Sequence, residues 1–350
     1  MKVLITGGAG FIGTNYVYSH LEHRPEDELW VLDALTYSGH REHLAKAEAE
    51  GLHFVEGRIE DVLLVRKLFE EVGFDLVIHF AAESHVDRSI KDPAAFVVTN
   101  VLGTQTLLDA ARDFGVKRFH HISTDEVYGD LGFGSTDFFT EESPIRPSSP
   151  YSATKAASDF LVLSYFRTYG LPVTISRCSN NYGPHQSLEN LIPVLISKAK
   201  ADQALPLYGT GENVRDWLFV TDHCEAILTI LEKGKVGEVY NIGGDGERSN
   251  LEVAKAVLKG LGKSEELITF VEDRKGHDQR YAIDFSKLTR ELGWSPKTSF
   301  EEGMRQTLTW YTFSNSTHVP SYERSTARGR DRITAHPTHQ SHEQTSTAGL

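Results

Sequence analysis

Through about residue 123 the chain alternates short apolar runs with longer amphipathic stretches. Val3-Leu4-Ile5, Leu29-Trp30-Val31-Leu32, His53-Phe54-Val55, Leu76-Val77-Ile78-His79-Phe80 and Arg118-Phe119-His120-His121-Ile122 predict strands. Between them, residues 62–72 and 96–114 carry apolar side chains at helical spacing. Strand-helix alternation of this kind builds a parallel sheet covered on both faces through right-handed crossovers, so a doubly wound α/β domain is expected. A helix over about 151–169 and a strand over about 172–176 continue it.

Beyond Asn180 the pattern changes. Pro, Gly and Asn punctuate shorter elements: 191–200 and 252–261 read as helices and 216–220 as extended, with Val239 to Ile242 able to return a strand to the main sheet. The expected division is a dinucleotide-type domain over 1–180, a smaller mixed α/β lobe over 181–313, and a tail over 314–350. That tail is rich in Ser, Thr, His and Arg and lacks the apolar surface to offset its ordering entropy, so disorder is expected there. His336, His339 and His342 have a helix-face spacing that would suit a metal, but Pro337 interrupts it, and no metal site is expected.

Composition narrows the function classes. A 39% apolar and 10% aromatic share is enough for large cores. A net charge of −13 argues against a general nucleic-acid binder, which needs a basic face. A small phosphorylated ligand needs only a local cluster of donors. Two cysteines, Cys178 and Cys224, cannot form a disulfide framework and have no zinc-type neighbours, so a reducing cytoplasm is expected. No apolar run approaches the roughly 20 residues that span a bilayer, and glycines interrupt the N-terminal apolar run, which reads as a first strand.

Thr6-Gly7-Gly8-Ala9-Gly10-Phe11-Ile12-Gly13 sets glycines at 7, 10 and 13 between the first strand and an amphipathic helix. Gly7 permits the tight turn, Gly10 lets a pyrophosphate approach the backbone, and Gly13 lets the helix pack against the sheet, as in a Rossmann-type site. The helix N-terminus then offers free N–H groups to the phosphates. Asp33 ends the second strand, where a carboxylate accepts from ribose hydroxyls and repels a 2′-phosphate, favouring NAD over NADP. Tyr151-Ser152-Ala153-Thr154-Lys155 puts a phenol and an ammonium on one helical face, and the cation is expected to lower the phenol's pKa for use as a base. Ser123-Thr124-Asp125-Glu126 follows the fifth strand, at the carboxyl edge where such sheets bind ligands, and its adjacent carboxylates offer an acid and a base. His79, His120 and His121 lie on strands without a metal motif and read as packed residues.

With these motifs the chain resembles the extended short-chain dehydrogenases/reductases that act on nucleotide sugars. Ala81-Ala82-Glu83-Ser84-His85-Val86-Asp87-Arg88-Ser89, Asn180-Asn181-Tyr182-Gly183-Pro184, Asn213-Val214-Arg215-Asp216-Trp217, Tyr240-Asn241-Ile242-Gly243-Gly244 and Gly276-His277-Asp278 narrow the resemblance to the dTDP-glucose 4,6-dehydratase family, over about residues 1–311. It implies oxidation at C4, elimination of water across C5–C6 and reduction at C6. Tyr151 would take the C4 hydroxyl proton with Thr124 bonded to that oxygen, Glu126 would take the C5 proton, and Asp125 would protonate the departing C6 hydroxyl. By the same resemblance Phe11, Ile12, Asp33, Thr36, Ala81, Thr99, Lys155 and Asn181 match cofactor positions. Ser84, Asn180, Leu191, Pro206, Tyr208, Arg215 and Asn250 match substrate positions, and a homodimer is implied. A guanidinium fork at Arg215 suits a pyrophosphate on its own chemistry.

Three residues depart from the family pattern. Arg58 stands where an acidic residue is usual, and Asn190 and Gln279 stand where a Lys and an Arg are usual. Losing two charge-assisted bonds to a pyrophosphate weakens binding by roughly 1.5–3 kcal/mol each. The rival readings are a 4-epimerase or a decarboxylase on the same fold, or a non-catalytic nucleotide-sugar or NAD-binding protein. An epimerase needs no acid-base pair for water loss and a decarboxylase usually shows only the Glu, so Asp125 beside Glu126 counts against both. The full set of Thr124, Asp125, Glu126, Tyr151 and Lys155 counts against a scaffold.

Overall fold

The computed structural model describes residues 1–273 and 277–313. Its strands are β1 (Lys2–Thr6), β2 (Glu28–Asp33), β3 (His53–Glu56), β4 (Leu76–His79), β5 (Arg118–Thr124), β6 (Val173–Cys178), β7 (Asn180–Tyr182), β8 (Leu205–Tyr208), β9 (Val214–Phe219), β10 (Val239–Ile242), β11 (Glu247–Ser249) and β12 (Ile268–Val271). Seven of them form one sheet in the order β10-β6-β5-β4-β1-β2-β3, every neighbouring pair parallel. Strands covered on both faces have no polar side to show, and every residue of β4 and β6 is buried. Along β1 the side chains alternate between two apolar layers. Val3 and Ile5 join Tyr16 and Val17 of helix Phe11–His23, whereas Leu4 joins Phe69 and Leu107 on the opposite face.

The chain reverses its direction of travel across the sheet between β3 and β4, so a crevice opens beyond the carboxyl ends of β1 and β4. Gly7, Asp33, Phe80 and Asp125 lie at or just past the ends of β1, β2, β4 and β5, which brings residues remote in sequence to one edge.

Helix Pro150–Tyr169 crosses behind that edge. Ser149 caps it by accepting from Ser152 N, Pro150 occupies its first turn, and Gly170 ends it in the left-handed region at φ 71°. The expected continuous helix over 96–114 is interrupted: Val97–Gly103 winds as a π-helix before the α-helix Thr104–Asp113. Past β6, the strands β7, β9 and β11 form a second sheet and β8 pairs with β12. A third apolar core, including Ile192, Trp217, Phe219, Val257 and Met304, gathers them under helices Leu191–Lys200, Asn250–Leu261 and Phe300–Phe313. The extended segment expected to reach residue 220 stops at Phe219, where helix Val220–Lys233 begins. Gly276 and the expected tail over 314–350, with His336, His339 and His342, lie outside the described residues.

Candidate active site

A cleft of about 360 Å³ runs along the carboxyl edge of the main sheet. Its nucleotide end is shaped by glycine. Gly7 sits at φ 71°, and a Cβ there would lie 2.6 Å from Ala81 N. A Cβ at Gly13 would lie 2.2 Å from Gly7 O, so the turn and the helix head fit only without side chains. Gly10, Phe11, Ile12, Thr36, Ala81 and Thr99 complete this wall, with Thr99 contributed by the π-helix. Asp33 also lines the cleft. Its carboxylate accepts from Ala9 N at 2.9 Å and Leu35 N at 2.8 Å, which fixes its orientation, and burial pushes it above its usual range while those bonds pull it back. A carboxylate has about four lone-pair sites, so two remain for ribose hydroxyls.

At the catalytic end Thr124, Asp125, Glu126, Tyr151 and Lys155 all line the same cleft. Thr124 caps the short 3₁₀ turn Asp125–Tyr128, with its Oγ1 accepting from Glu126 N at 3.2 Å and donating to Asp125 Oδ1 at 3.3 Å. Asp125 is 2% exposed, and burial first, then the charge of Glu126, holds its carboxyl well above the usual range. It therefore keeps a proton where an ordinary aspartate has lost one. Its Oδ2 is buried without a hydrogen-bond partner. Burial likewise pulls Lys155 down to about 8, and its Nζ donates to Ile122 O at 2.7 Å.

The phenol corrects one expectation. In the free cleft the Tyr151 pKa is raised, not lowered. Burial, then Glu126 and Cys178, push it well above the usual range, with a hydrogen bond to Thr124 as the opposing influence. The physical reason is that the phenol is shut away from water beside a carboxylate.

Of the residues expected at the substrate, Ser84, Asn180 and Leu191 line the cleft, and so do Arg58 and Asn190. Pro206, Tyr208, Arg215 and Asn250 are not in its lining. Pro206 and Tyr208 lie on β8, and Asn250 opens helix Asn250–Leu261. The Arg215 guanidinium donates to the carbonyls of Val214 at 2.7 Å and Asp278 at 2.9 Å and lies 4.4 Å from the Tyr281 ring centroid. Its charge still reaches the acid pair, pulling Asp125 partly down. Asn181 lines the cleft with its Oδ1 bonded to His223 Nδ1 at 2.9 Å. Gln279 accepts from Phe133 N at 2.8 Å.

One residue that braces the site has no signal in the sequence. Asn100, from the π-helix, accepts from Glu83 N at 2.8 Å and donates to Glu83 O and to Thr154 Oγ1, each at 3.0 Å, tying one cleft wall to helix Pro150–Tyr169. Trp217 lines the cleft with its indole Nε1 buried and unbonded, and Ser123 Oγ and Asn180 Oδ1 are in the same position. Buried polar groups are almost always hydrogen-bonded, so orphans concentrated along one cleft fit a polar ligand. Among the described residues no group of three or more His, Cys, Asp or Glu side chains could hold a metal ion. No described helix is long and apolar enough to cross a membrane.

Sheet, glycine turn and Tyr-Lys pair together define an α/β enzyme of the Rossmann type with a dinucleotide site. The family model for GDP-mannose 4,6 dehydratase matches residues 4–307, and the chain belongs to that family. It is 50% identical over 333 residues to a dTDP-glucose 4,6-dehydratase of Mycobacterium tuberculosis, covering 95% of this chain and 99% of that one. A crystal structure of DesIV, a dTDP-glucose 4,6-dehydratase from Streptomyces venezuelae with NAD and TYD bound, superposes with a TM-score of 0.86 at 48% identity, covering 89% of this chain and 97% of that one. A UDP-glucose 4-epimerase of Thermus thermophilus in complex with NAD has a TM-score of 0.83 at 32% identity, over 90% of this chain and 100% of the other. Fold therefore does not separate the two activities, and residues at the site must.

Proposed function

We propose that the protein is an NAD-dependent nucleotide-sugar 4,6-dehydratase that converts dTDP-glucose to dTDP-4-keto-6-deoxyglucose. The observation that carries this reading is the buried Asp125 beside Glu126 at the catalytic end of the cleft, with one oxygen unbonded and its carboxyl pushed above the usual range by burial. Elimination of water needs an acid for the leaving hydroxyl and a base for the carbon proton, and neighbouring carboxyls with unlike environments divide those roles. Epimerisation needs neither.

The turn at Gly7, the head of helix Phe11–His23 and Asp33 would hold NAD. The chemistry NAD supplies when bound is reversible two-electron exchange, removing hydride from C4 and returning it at C6. Tyr151 takes the C4 hydroxyl proton while Thr124 shares a hydrogen bond with that oxygen. Lys155 contributes positive charge, and the rise of the Tyr151 pKa in the free cleft means that the phenol depends on charge brought by the ligands. Once C4 is a ketone, C5 is acidified, Glu126 removes its proton, and Asp125 delivers a proton to the C6 hydroxyl as it departs. Glu126 then carries a proton and Asp125 has lost one; the return of hydride to C6 with the proton from Glu126 to C5 completes the sugar, and loss of the proton held by Tyr151 with regain of one by Asp125, exchanged through solvent as product leaves, restores the protein.

The exposed apolar Val98, Leu102 and Phe160, on segments Val97–Gly103 and Pro150–Tyr169 that pack together, are a face that a second copy of the chain would cover, which supports a homodimer. The unpaired, buried thiols Cys178 and Cys224 support a reducing, cytoplasmic setting. The test is mass spectrometry of nucleotide sugars incubated with protein and NAD. Loss of one water from dTDP-glucose is the expected result, and an unchanged mass across the panel contradicts it.

A further inference from the structure

Behind the catalytic end lies a buried ion pair that the reaction as assigned leaves without a part. Lys155 and Asp159 are one turn apart on helix Pro150–Tyr169 and share a face. Asp159 is 1% exposed, and its Oδ2 accepts from Arg177 Nε at 2.8 Å. Arg177 is in turn held by Tyr128, whose hydroxyl accepts from its Nη1 at 2.9 Å and donates to Asn241 Oδ1 at 2.8 Å. The other carboxylate oxygen, Oδ1, makes no hydrogen bond and faces His121 Nε2 at 3.5 Å. The same Nε2 stands 3.5 Å from Lys155 Nζ. One imidazole nitrogen thus lies between the unbonded carboxylate oxygen and the ammonium.

We propose that Asp159, seated by Arg177, is a positioning residue for the oxidation: one turn along the helix from Lys155 and across the neutral His121 ring from it, its negative charge balances the buried ammonium that is held on the Ile122 carbonyl. The inference rests on the dehydratase reading given above. Four elements face the ammonium. Its own helix brings Tyr151 and Asp159, β4 brings His79, β5 brings His121 and the Ile122 carbonyl, and β6 brings Cys178, with Arg177 behind Asp159. Both histidines are pushed well below their ordinary range by burial and by Lys155, so neither is charged. The Cys178 thiol is pushed up to about 12, again by burial, and stays neutral. Burial pulls Lys155 down, and Asp159 is the foremost influence in the opposite sense. With Asp159 neutralised, Lys155 loses its proton at a lower pH, and the cation that assists Tyr151 is lost with it.

The test is the pH profile of kcat together with the pH profile of NAD affinity, followed by protein fluorescence without any sugar. In Asp159→Asn the alkaline limb of both profiles is expected to move toward acid by roughly one pH unit or more, the usual effect of one opposite charge at close range. Asp159→Glu restores the limb. Because Asp159→Asn leaves Arg177 unpaired and can unfold the chain, Asp159→Asn with Arg177→Met removes both charges and is expected to show a smaller shift of the same sign, since Asp159 lies between Arg177 and the ammonium. A lowered melting temperature with both limbs unmoved, in whichever variant folds, overturns the proposal by assigning the pair a structural part alone. If wild-type protein turns over no nucleotide sugar, the dehydratase reading fails, and the NAD profile still decides the part of Asp159.

Discussion

Lys155 Nζ donates to the carbonyl of Ile122 at 2.7 Å, fastening the catalytic helix to the strand that leads into Thr124, Asp125 and Glu126. Sheet and helix therefore present their groups to the cleft as one unit. Precise placement of the phenol against the acid pair depends on that unit, because neither the 3₁₀ turn nor the first turn of the helix could hold it alone.

Tyr151→Phe removes the proton acceptor for the C4 hydroxyl without emptying the space. Absorbance of NADH on mixing with dTDP-glucose is expected to fall by about 10²- to 10⁴-fold in rate, the range of a lost general base. An unaltered burst would assign the proton to another group.

Asp125→Asn is expected to abolish water loss and to stabilise the protein. In the unfolded chain Asp125 ionises near its ordinary value of 3.8, and in the folded one at a higher pH, so folding takes up a proton between the two. Its contribution is full below the unfolded value and is lost as pH rises toward the folded one. The melting temperature of Asp125→Asn should therefore gain on wild type as the pH rises above the ordinary value of 3.8. A constant difference across that range would mean that Asp125 is not held protonated.

Gly13→Ala tests the cofactor turn. A methyl group 2.2 Å from Gly7 O forces the helix head away from the strand end, which costs roughly 1–3 kcal/mol and disturbs the surface that faces a pyrophosphate. Calorimetry should show a lower melting temperature and weaker NAD binding together. Unchanged NAD affinity would place the dinucleotide elsewhere.

Strands β1 to β6 were legible because central parallel strands, buried on both faces, leave apolar runs, as in Leu76-Val77-Ile78. Three-residue strands such as β7 and β11, made of Asn, Tyr, Glu, Arg and Ser, leave no period to read. The glycine turn and the Tyr-Lys pair are local patterns and could be found in the chain. Asn100 and Asp159 could not, since their meaning comes from partners such as Thr154, 54 residues away, and Arg177, 18 residues away. The raised Tyr151 pKa was hidden for a related reason: the spacing of Tyr151 and Lys155 puts them on one face but does not tell what else is buried there.

Asn190 stands just before helix Leu191–Lys200, without a side-chain capping bond, and lines the cleft, so a cation placed there can meet a phosphate. Asn190→Lys is expected to lower KM for dTDP-glucose about tenfold or more, the worth of one charge-assisted bond, with a smaller effect on kcat. A KM that stays or rises would show that the pyrophosphate is held by other donors.

The division of labour between oxidation and elimination is tested most directly by Glu126→Gln. That variant keeps Tyr151, Lys155 and Asp125 but removes the base for C5. Mixed with dTDP-glucose in deuterated solvent, it should form NADH and the 4-keto sugar, with neither water loss nor deuterium at C5 by mass spectrometry. Elimination at near wild-type rate, with deuterium incorporated, would contradict the account and remove the adjacent carboxyls from the chemistry.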